Sequence, residues 1–156
     1  MILQELSLLR DISIAAKQQW LKIWFTNGCF DILHPGHVYN LKEAKKYCDI
    51  LIVAINSDIS SYWKTKPWRP IHDQQHRAML LDSMKYVNYV TFFDHETPIL
   101  LISEILPDVL IKWGDYTPDT VVWYQEVVEN GGKVIIVPIV EWYSTTNSVK
   151  KILWIS

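Results

Sequence analysis

The chain is poor in cysteine: Cys29 and Cys48 are the only two among 156 residues. They share no CxxC spacing, so neither a disulfide framework nor a zinc site is indicated, and a reduced, cytosolic setting is expected. No apolar run approaches the roughly 20 residues that a membrane-spanning helix needs. The opening segment MILQELSLLRD is broken by charge too early to read as a secretory signal. Neither sign of charge dominates. Net charge is −2 and the sequence pI is about 6.2, which gives no support to a general nucleic-acid or membrane-surface binder. A local anion site stays open, because one loop can be basic while the chain as a whole is not. Linkers, repeats and low-complexity tracts are also missing, so residues 1–156 are expected to form one domain. Hydrophobic residues, by contrast, make up 49% of the chain, enough for a folded core. Eight tryptophans could fill that core or form an apolar patch covered by a partner subunit.

Five β-branched, apolar runs stand out: Lys22–Thr26, Ile50–Asn56, Tyr89–Phe93, Val109–Trp113 and Lys133–Ile139. Most are near-continuous rather than alternating, as strands covered on both faces should be. Helical patterns separate them. In Gly36–Tyr47, the residues Val38, Leu41, Ala44 and Tyr47 recur at three-residue steps. Asp73 is placed to cap a helix running to about Tyr86. Thr97-Pro98 starts another, stopped by Pro107. Thr117-Pro118 starts a third, ended by Asn130-Gly131-Gly132. Ser144 caps a last helix through about Leu153. Residues 1–21 read as a helical extension before the first strand. The expected fold is α/β, a Rossmann-like three-layer sandwich around a mainly parallel five-stranded sheet. Ligands of such sheets bind at the carboxyl ends of the strands, near a switch point in strand order.

The chemistry-bearing residues fall there. After the first strand comes Asn27-Gly28-Cys29-Phe30-Asp31, then His34-Pro35-Gly36-His37 at a helix start. Two histidines three apart share a helix face. The helix N-terminus adds unpaired N–H groups and a positive dipole end, both suited to phosphate. Gly36 lets the phosphates approach the backbone closely. Donors fixed in advance around an α-phosphate lower the barrier to nucleotidyl transfer. Asp31 has two readings, contacting the acceptor or ordering the histidine loop. Cys29 has no evident base beside it and is not read as a nucleophile. Ser144-Thr145-Thr146-Asn147 offers hydroxyls and backbone N–H groups to a triphosphate. Lys64-Thr65-Lys66, with Arg69 and Arg77, forms the basic stretch that a phosphorylated acceptor would need. Gly114 and Asp115, just past the fourth strand, could line a base or ribose pocket, and Glu141-Trp142-Tyr143 could flank the base.

The run Gly28-Cys29-Phe30-Asp31-Ile32-Leu33-His34-Pro35-Gly36-His37 resembles the signature of the HxGH nucleotidyltransferase superfamily. Over residues 22–153 the chain is most similar to the adenylyltransferases that make nucleotide-activated heptose from D-glycero-beta-D-manno-heptose 1-phosphate, either stand-alone or as half of a bifunctional kinase/adenylyltransferase. The segments that carry this are Phe25–His34, Ala54–Asp58, Arg69-Pro70-Ile71, Thr97-Pro98, Ile105–Asp108, Gly114-Asp115-Tyr116 and Ser144–Asn147 followed by Lys150-Lys151-Ile152. Trp113 departs from the pattern, standing where that family commonly has glycine.

The resemblance implies AMP transfer from ATP, with Mg²⁺ carried largely by the triphosphate, and a separate kinase supplying the sugar phosphate. It makes His34, His37 and Lys64 the expected catalytic groups. Asn27, Gly28, Cys29, Phe30, Gly36, Gly114, Asp115, Glu141, Ser144, Thr145 and Thr146 are expected around the nucleotide, and Asp31, Lys64 and Arg77 around the acceptor. A phosphate monoester is already ionised, so in-line attack on the α-phosphorus needs no strong general base. A homodimer is a further expectation. The alternative is a glycerol-3-phosphate cytidylyltransferase-like enzyme, or another sugar- or alcohol-phosphate nucleotidyltransferase using GTP or CTP.

Overall fold

A computed structural model describes residues 1–60, 63–64, 68–114, 117, 121, 123–137 and 145–153, and the side chains of all of these but 146, 147, 150 and 153. The apolar runs form five strands: β1 (Ile23–Gly28), β2 (Ile50–Asn56), β3 (Tyr89–Phe93), β4 (Val109–Trp113) and β5 (Lys133–Val137). They make one sheet in the order β3-β2-β1-β4-β5, and every pairing is parallel. The chain therefore builds outward from β1 to β3, then crosses back to place β4 on β1's other side. The switch point lies between β1 and β4, and a crevice opens at their carboxyl ends.

Among the described residues, helices α1 (Leu6–Gln18), α2 (Pro35–Lys45), α3 (Gln74–Asp82), α4 (Ile99–Ile105), α5 (Tyr124–Glu129) and α6 (Thr145–Leu153) accompany the sheet. Side chains along a strand point alternately to its two faces, and this chain uses both. Ile23, Phe25, Ile52, Ala54 and Leu110 pack with Leu9 and Ala16 of α1, Leu101, Ile102 and Ile105 of α4, and Val127 of α5. Leu51, Val53, Ile55 and Ile111 pack on the other face with Leu41 and Ala44 of α2 and Ala78 and Leu81 of α3. Each fully buried Leu, Ile or Phe contributes about 1.5–3 kcal/mol, which is why continuous rather than alternating apolar runs mark these strands. Beyond the helices, Leu3 donates to Val90 O at 2.8 Å and Val90 donates to Met1 O at 3.0 Å, so the first residues cover the open edge of β3.

Several boundaries differ from the sequence reading. β1 runs on to Gly28 because Asn27 and Gly28 still pair with Ala54 and Ile55 of β2. In α2 only the middle of the expected apolar stripe is buried: Leu41 and Ala44 are inside, whereas Val38 and Tyr47 are exposed. Tyr47 instead stacks on Trp24 at 5.9 Å between ring centroids. Asp73 does cap α3, its carboxylate accepting from His76 N at 2.9 Å, but the helix stops at Asp82. Thr97 lies two residues before α4, whose N-cap is Pro98. The described helix in the next segment is α5, Tyr124–Glu129; residues 118–120 and 122, where the helix from Thr117-Pro118 was expected to begin, lie outside the described residues. Residues 138 and 139, expected in the fifth strand, and Ser144, expected as a cap, lie outside the described residues. Among the described residues no helix is long and apolar enough to cross a membrane.

Candidate active site

Past Gly28 the chain turns over the carboxyl edge of the sheet. Phe30 and Ile32 take left-handed backbone angles, φ 48° and 53°, which cost about 1–3 kcal/mol each in residues with a side chain. Asp31, between them, holds the loop down. Its carboxylate accepts from Arg69 Nη1 at 2.9 Å, Ile71 N at 3.0 Å and His72 N at 3.1 Å. Burial pushes its pKa up, but those three donors outweigh burial and keep the group below the ordinary carboxylate value, so it stays ionised. The loop after β1 is thus bolted to residues 69–72, which lead into α3.

The next turn presents the histidines. His34 is the N-cap of α2, in extended conformation, and Pro35 occupies the first helical position, where its missing N–H costs nothing. His37 lies one turn on, and its ring stacks on that of His34 at 3.8 Å between centroids. The His34 backbone N–H donates to His37 Nδ1 at 3.3 Å. With Nδ1 accepting, neutral His37 carries its proton on Nε2, as a donor. Burial, then the neighbouring His34, push the His37 pKa down to about 4; burial also lowers that of His34. Phe30, itself buried, packs on His37 at 5.2 Å. At neutral pH the pair is a set of uncharged, pre-aimed N–H donors beside a helix N-terminus, an arrangement suited to phosphoryl oxygens.

A second helix start joins the first. Thr145 Oγ1, on the first residue of α6, donates to the carbonyl of Asp31 at 2.8 Å. Residues 114 apart in sequence therefore bring two helix N-termini to one loop. Two anion-attracting ends on one crevice match the length of a triphosphate better than either alone.

Arg77 is fully buried. Its guanidinium donates to His72 O at 2.9 Å, to Cys29 O at 2.8 Å and to Asp58 Oδ1 at 2.8 Å. Asp58 in turn exchanges hydrogen bonds with Gln74, through its N–H to Gln74 Oε1 and its Oδ2 from Gln74 N, both at 2.9 Å. The charged ends of Asp31 and Arg77 thus face protein groups, and both tie the histidine loop to α3. Lys64 is exposed on the turn after β2. Its neighbour Trp63 is buried, donates from Nε1 to Ser57 O at 2.7 Å and lies 5.3 Å beneath the Arg77 cation, which anchors the turn that carries Lys64.

Of the other expected residues, Gly28 ends β1 against the Phe30 ring, where a Cβ would come within 3.1 Å of Cε2. Gly36 is buried in the first turn of α2. Gly114 follows β4 with φ 129° and donates to Val137 O at 3.1 Å. Trp113 donates from its indole to Thr26 Oγ1 at 2.8 Å, and Thr26 Oγ1 donates to Ile111 O at 3.2 Å, so its ring is pinned to the β1–β4 seam. Asp115, Glu141 and Ser144, together with Lys66 and the side chains of Thr146 and Asn147, lie outside the described residues. Trp123 was not picked out from sequence, and Lys112 was read only as the start of the segment Lys112–Tyr116. Lys112, at the end of β4, places Nζ 5.1 Å from the ring centroid of Trp123, and burial lowers its pKa. The available signal was alternation: Leu110 and Lys112 share a strand face, so the apolar run ends on a cation.

Among the described residues no group of three or more His, Cys, Asp or Glu side chains could hold a metal ion. Asp31 has its carboxylate engaged.

The model of the cytidylyltransferase-like family matches residues 25–151, from β1 through most of α6. The chain belongs to that family of nucleotidyltransferases. It is 42% identical over 145 residues to the bifunctional protein HldE of Syntrophotalea carbinolica, covering 93% of this chain and 30% of that protein. With the bifunctional protein HldE of Marinomonas sp. it shares 43% identity over 150 residues, 96% of this chain and 31% of the other. The chain thus spans under a third of the length of these curated relatives. A lipopolysaccharide core biosynthesis protein from Thermoplasma volcanium is similar in structure, with a TM-score of 0.64 and 28% identity over 79% of this chain and 99% of that one. Pantoate-beta-alanine ligase from Francisella tularensis, at 19% identity and TM-score 0.66, over 96% of this chain and 72% of its own, shares the fold.

Proposed function

We propose that this chain transfers AMP from ATP to D-glycero-D-manno-heptose 1-phosphate, giving ADP-heptose and pyrophosphate. The observation that carries the transfer step is the stacked His34–His37 pair with His37 Nε2 as donor, on a loop that Thr145 joins to the start of α6. An acceptor phosphate oxygen forms the new bond to the α-phosphorus while the bond to pyrophosphate breaks. No proton has to be removed from the nucleophile. His34 and His37 neutralise charge on the α-phosphate, α6 receives the leaving pyrophosphate, and Lys64 orients the acceptor phosphate. Asp31 and Arg77 act as positioning residues, holding the histidine loop against α3. Mg²⁺ comes with ATP.

Support for the heptose acceptor comes from likeness: the HldE proteins match nearly the whole chain, and the Thermoplasma volcanium neighbour is a lipopolysaccharide core protein. A kinase activity that forms the sugar 1-phosphate then supplies the acceptor. The exposed indoles of Trp20 and Trp68 fit a homodimer, which sedimentation at micromolar concentration tests; a monomeric mass contradicts it. The acceptor and donor are tested together by pyrophosphate release from ATP, GTP and CTP with heptose 1-phosphate and glycerol 3-phosphate. Turnover with ATP and heptose 1-phosphate is expected. Turnover only with CTP and glycerol 3-phosphate contradicts the assignment.

A further inference from the structure

The carboxyl edge of the sheet has a second polar face, away from the histidines. Phe25 and Leu110 point into the core beneath α1, α4 and α5. Two residues further along each strand, Asn27 and Lys112 point the same way, because strand side chains repeat every two residues. Trp123, just before α5, belongs to the same core and is 4% exposed. Its ring lies under the Lys112 ammonium at 5.1 Å. On this face two buried polar atoms have no hydrogen-bond partner among the described residues: Asn27 Oδ1 and Trp123 Nε1. Folded proteins pair most buried polar atoms, so two exceptions on either side of one lysine call for a reason.

Their chemistry narrows it. Asn27 Oδ1 only accepts and the indole N–H only donates. A phosphate or carboxylate oxygen satisfies the indole but offers nothing to the amide oxygen. A hydroxyl both donates and accepts, and a polyol does so repeatedly. The position fits as well. In-line displacement requires the entering oxygen opposite the leaving pyrophosphate. The histidine helix α2 packs on one face of the sheet, and this cluster is on the other.

We infer that Asn27 and Trp123, with Lys112 between them, recognise hydroxyl groups of the acceptor sugar and set which sugar phosphates are used. The inference rests on the sugar-phosphate reading above and adds the residues that read the sugar rather than its phosphate. Trp123 is then a specificity residue that contributes to acceptor binding and not to ATP binding.

The test is Trp123→Phe, which keeps the ring under Lys112 and removes only the N–H. The KM for the sugar phosphate should rise roughly three- to ten-fold, the range of one neutral hydrogen bond, with the KM for ATP unchanged. In the unsubstituted enzyme, replacing the sugar phosphate by a singly deoxygenated analogue should cost the same factor at the recognised hydroxyl, and Trp123→Phe should erase that difference. The deoxy series needs no variant, so it decides even where the substitution impairs folding. An unchanged acceptor KM in a folded Trp123→Phe protein overturns the inference; a raised melting temperature does not, because relief of the unpaired N–H in the free protein is expected either way. Equal use of every deoxy analogue overturns it as well. Failure of the unsubstituted enzyme to release pyrophosphate with any sugar 1-phosphate overturns both readings; turnover with no effect at Trp123 overturns this one alone.

Discussion

The backbone N–H of His34 donates to Nδ1 of His37 at 3.3 Å. That one bond decides what His37 can do. It fixes the neutral ring with its proton on Nε2, and it does so inside the helix turn that the histidines begin. Protonation of Nδ1 would break the bond, add charge to a buried ring and set it against His34. All three effects oppose the imidazolium form.

His37 should therefore titrate far below an ordinary histidine. Imidazole nitrogen NMR of the free protein should show the Nε2–H form persisting from pH 8 to pH 5.5, with a midpoint near the expected value of about 4. A midpoint near 6.5 contradicts this reading. The same shift has a stability consequence. The folded pKa lies below the unfolded one, so unfolded chains bind more protons between pH 6.5 and 4. The contribution of neutral His37 is complete above about 6.5 and is lost as pH falls through that window.

Asp31→Asn should lower stability by about 2 kcal/mol at pH 7, since the ion pair with Arg69 goes while the shape is kept. Its folded pKa is depressed, so the advantage of the unsubstituted protein is present above the ordinary carboxylate value. It shrinks as pH falls below that value. Urea unfolding at pH 7 and pH 3 checks this; a gap that widens toward low pH contradicts it.

Arg77→Lys should cost about 2–4 kcal/mol despite the retained charge. One ammonium cannot serve His72 O, Cys29 O and Asp58 at once, and the side chain has no exposed surface to retreat to. Chemical denaturation measures it. A loss under about 0.5 kcal/mol, the range of an ordinary surface change, contradicts a positioning role.

Lys64→Ala should leave stability within about 0.5 kcal/mol, because the residue is exposed, while raising the acceptor KM roughly ten-fold and sparing that for ATP. Steady-state kinetics with each substrate varied in turn separates the two. An effect on ATP alone would move Lys64 to the nucleotide side.

The strands were the most legible part of this molecule. Ile50–Asn56, Tyr89–Phe93 and Val109–Trp113 coincide with β2, β3 and β4, because burial on both faces leaves a continuous apolar run that no helix of that length imitates. The ends of elements were less legible. Nothing local tells that Gly28 still pairs with Ile55, or that the helix capped by Asp73 stops at Asp82. At the site, the sequence showed which residues carry charge but not where the charge points. Asp31 and Arg69 are 38 residues apart, and Arg77 and Cys29 are 48 apart. Those contacts depend on the β1–β2–α3 packing, which periodicity does not encode. The left-handed Phe30 and Ile32 were equally hidden, since glycine is the usual signal for such angles and neither is glycine.

The central claim is that the histidine pair stabilises charge at the α-phosphate during transfer. It is tested most directly by the rate of pyrophosphate release from ATP with heptose 1-phosphate in His37→Ala, compared with the unsubstituted protein under saturating substrates. The account predicts a fall on the order of a hundredfold or more, the effect of deleting one pre-aimed donor, in a protein that still folds. A rate unchanged by His37→Ala would contradict it.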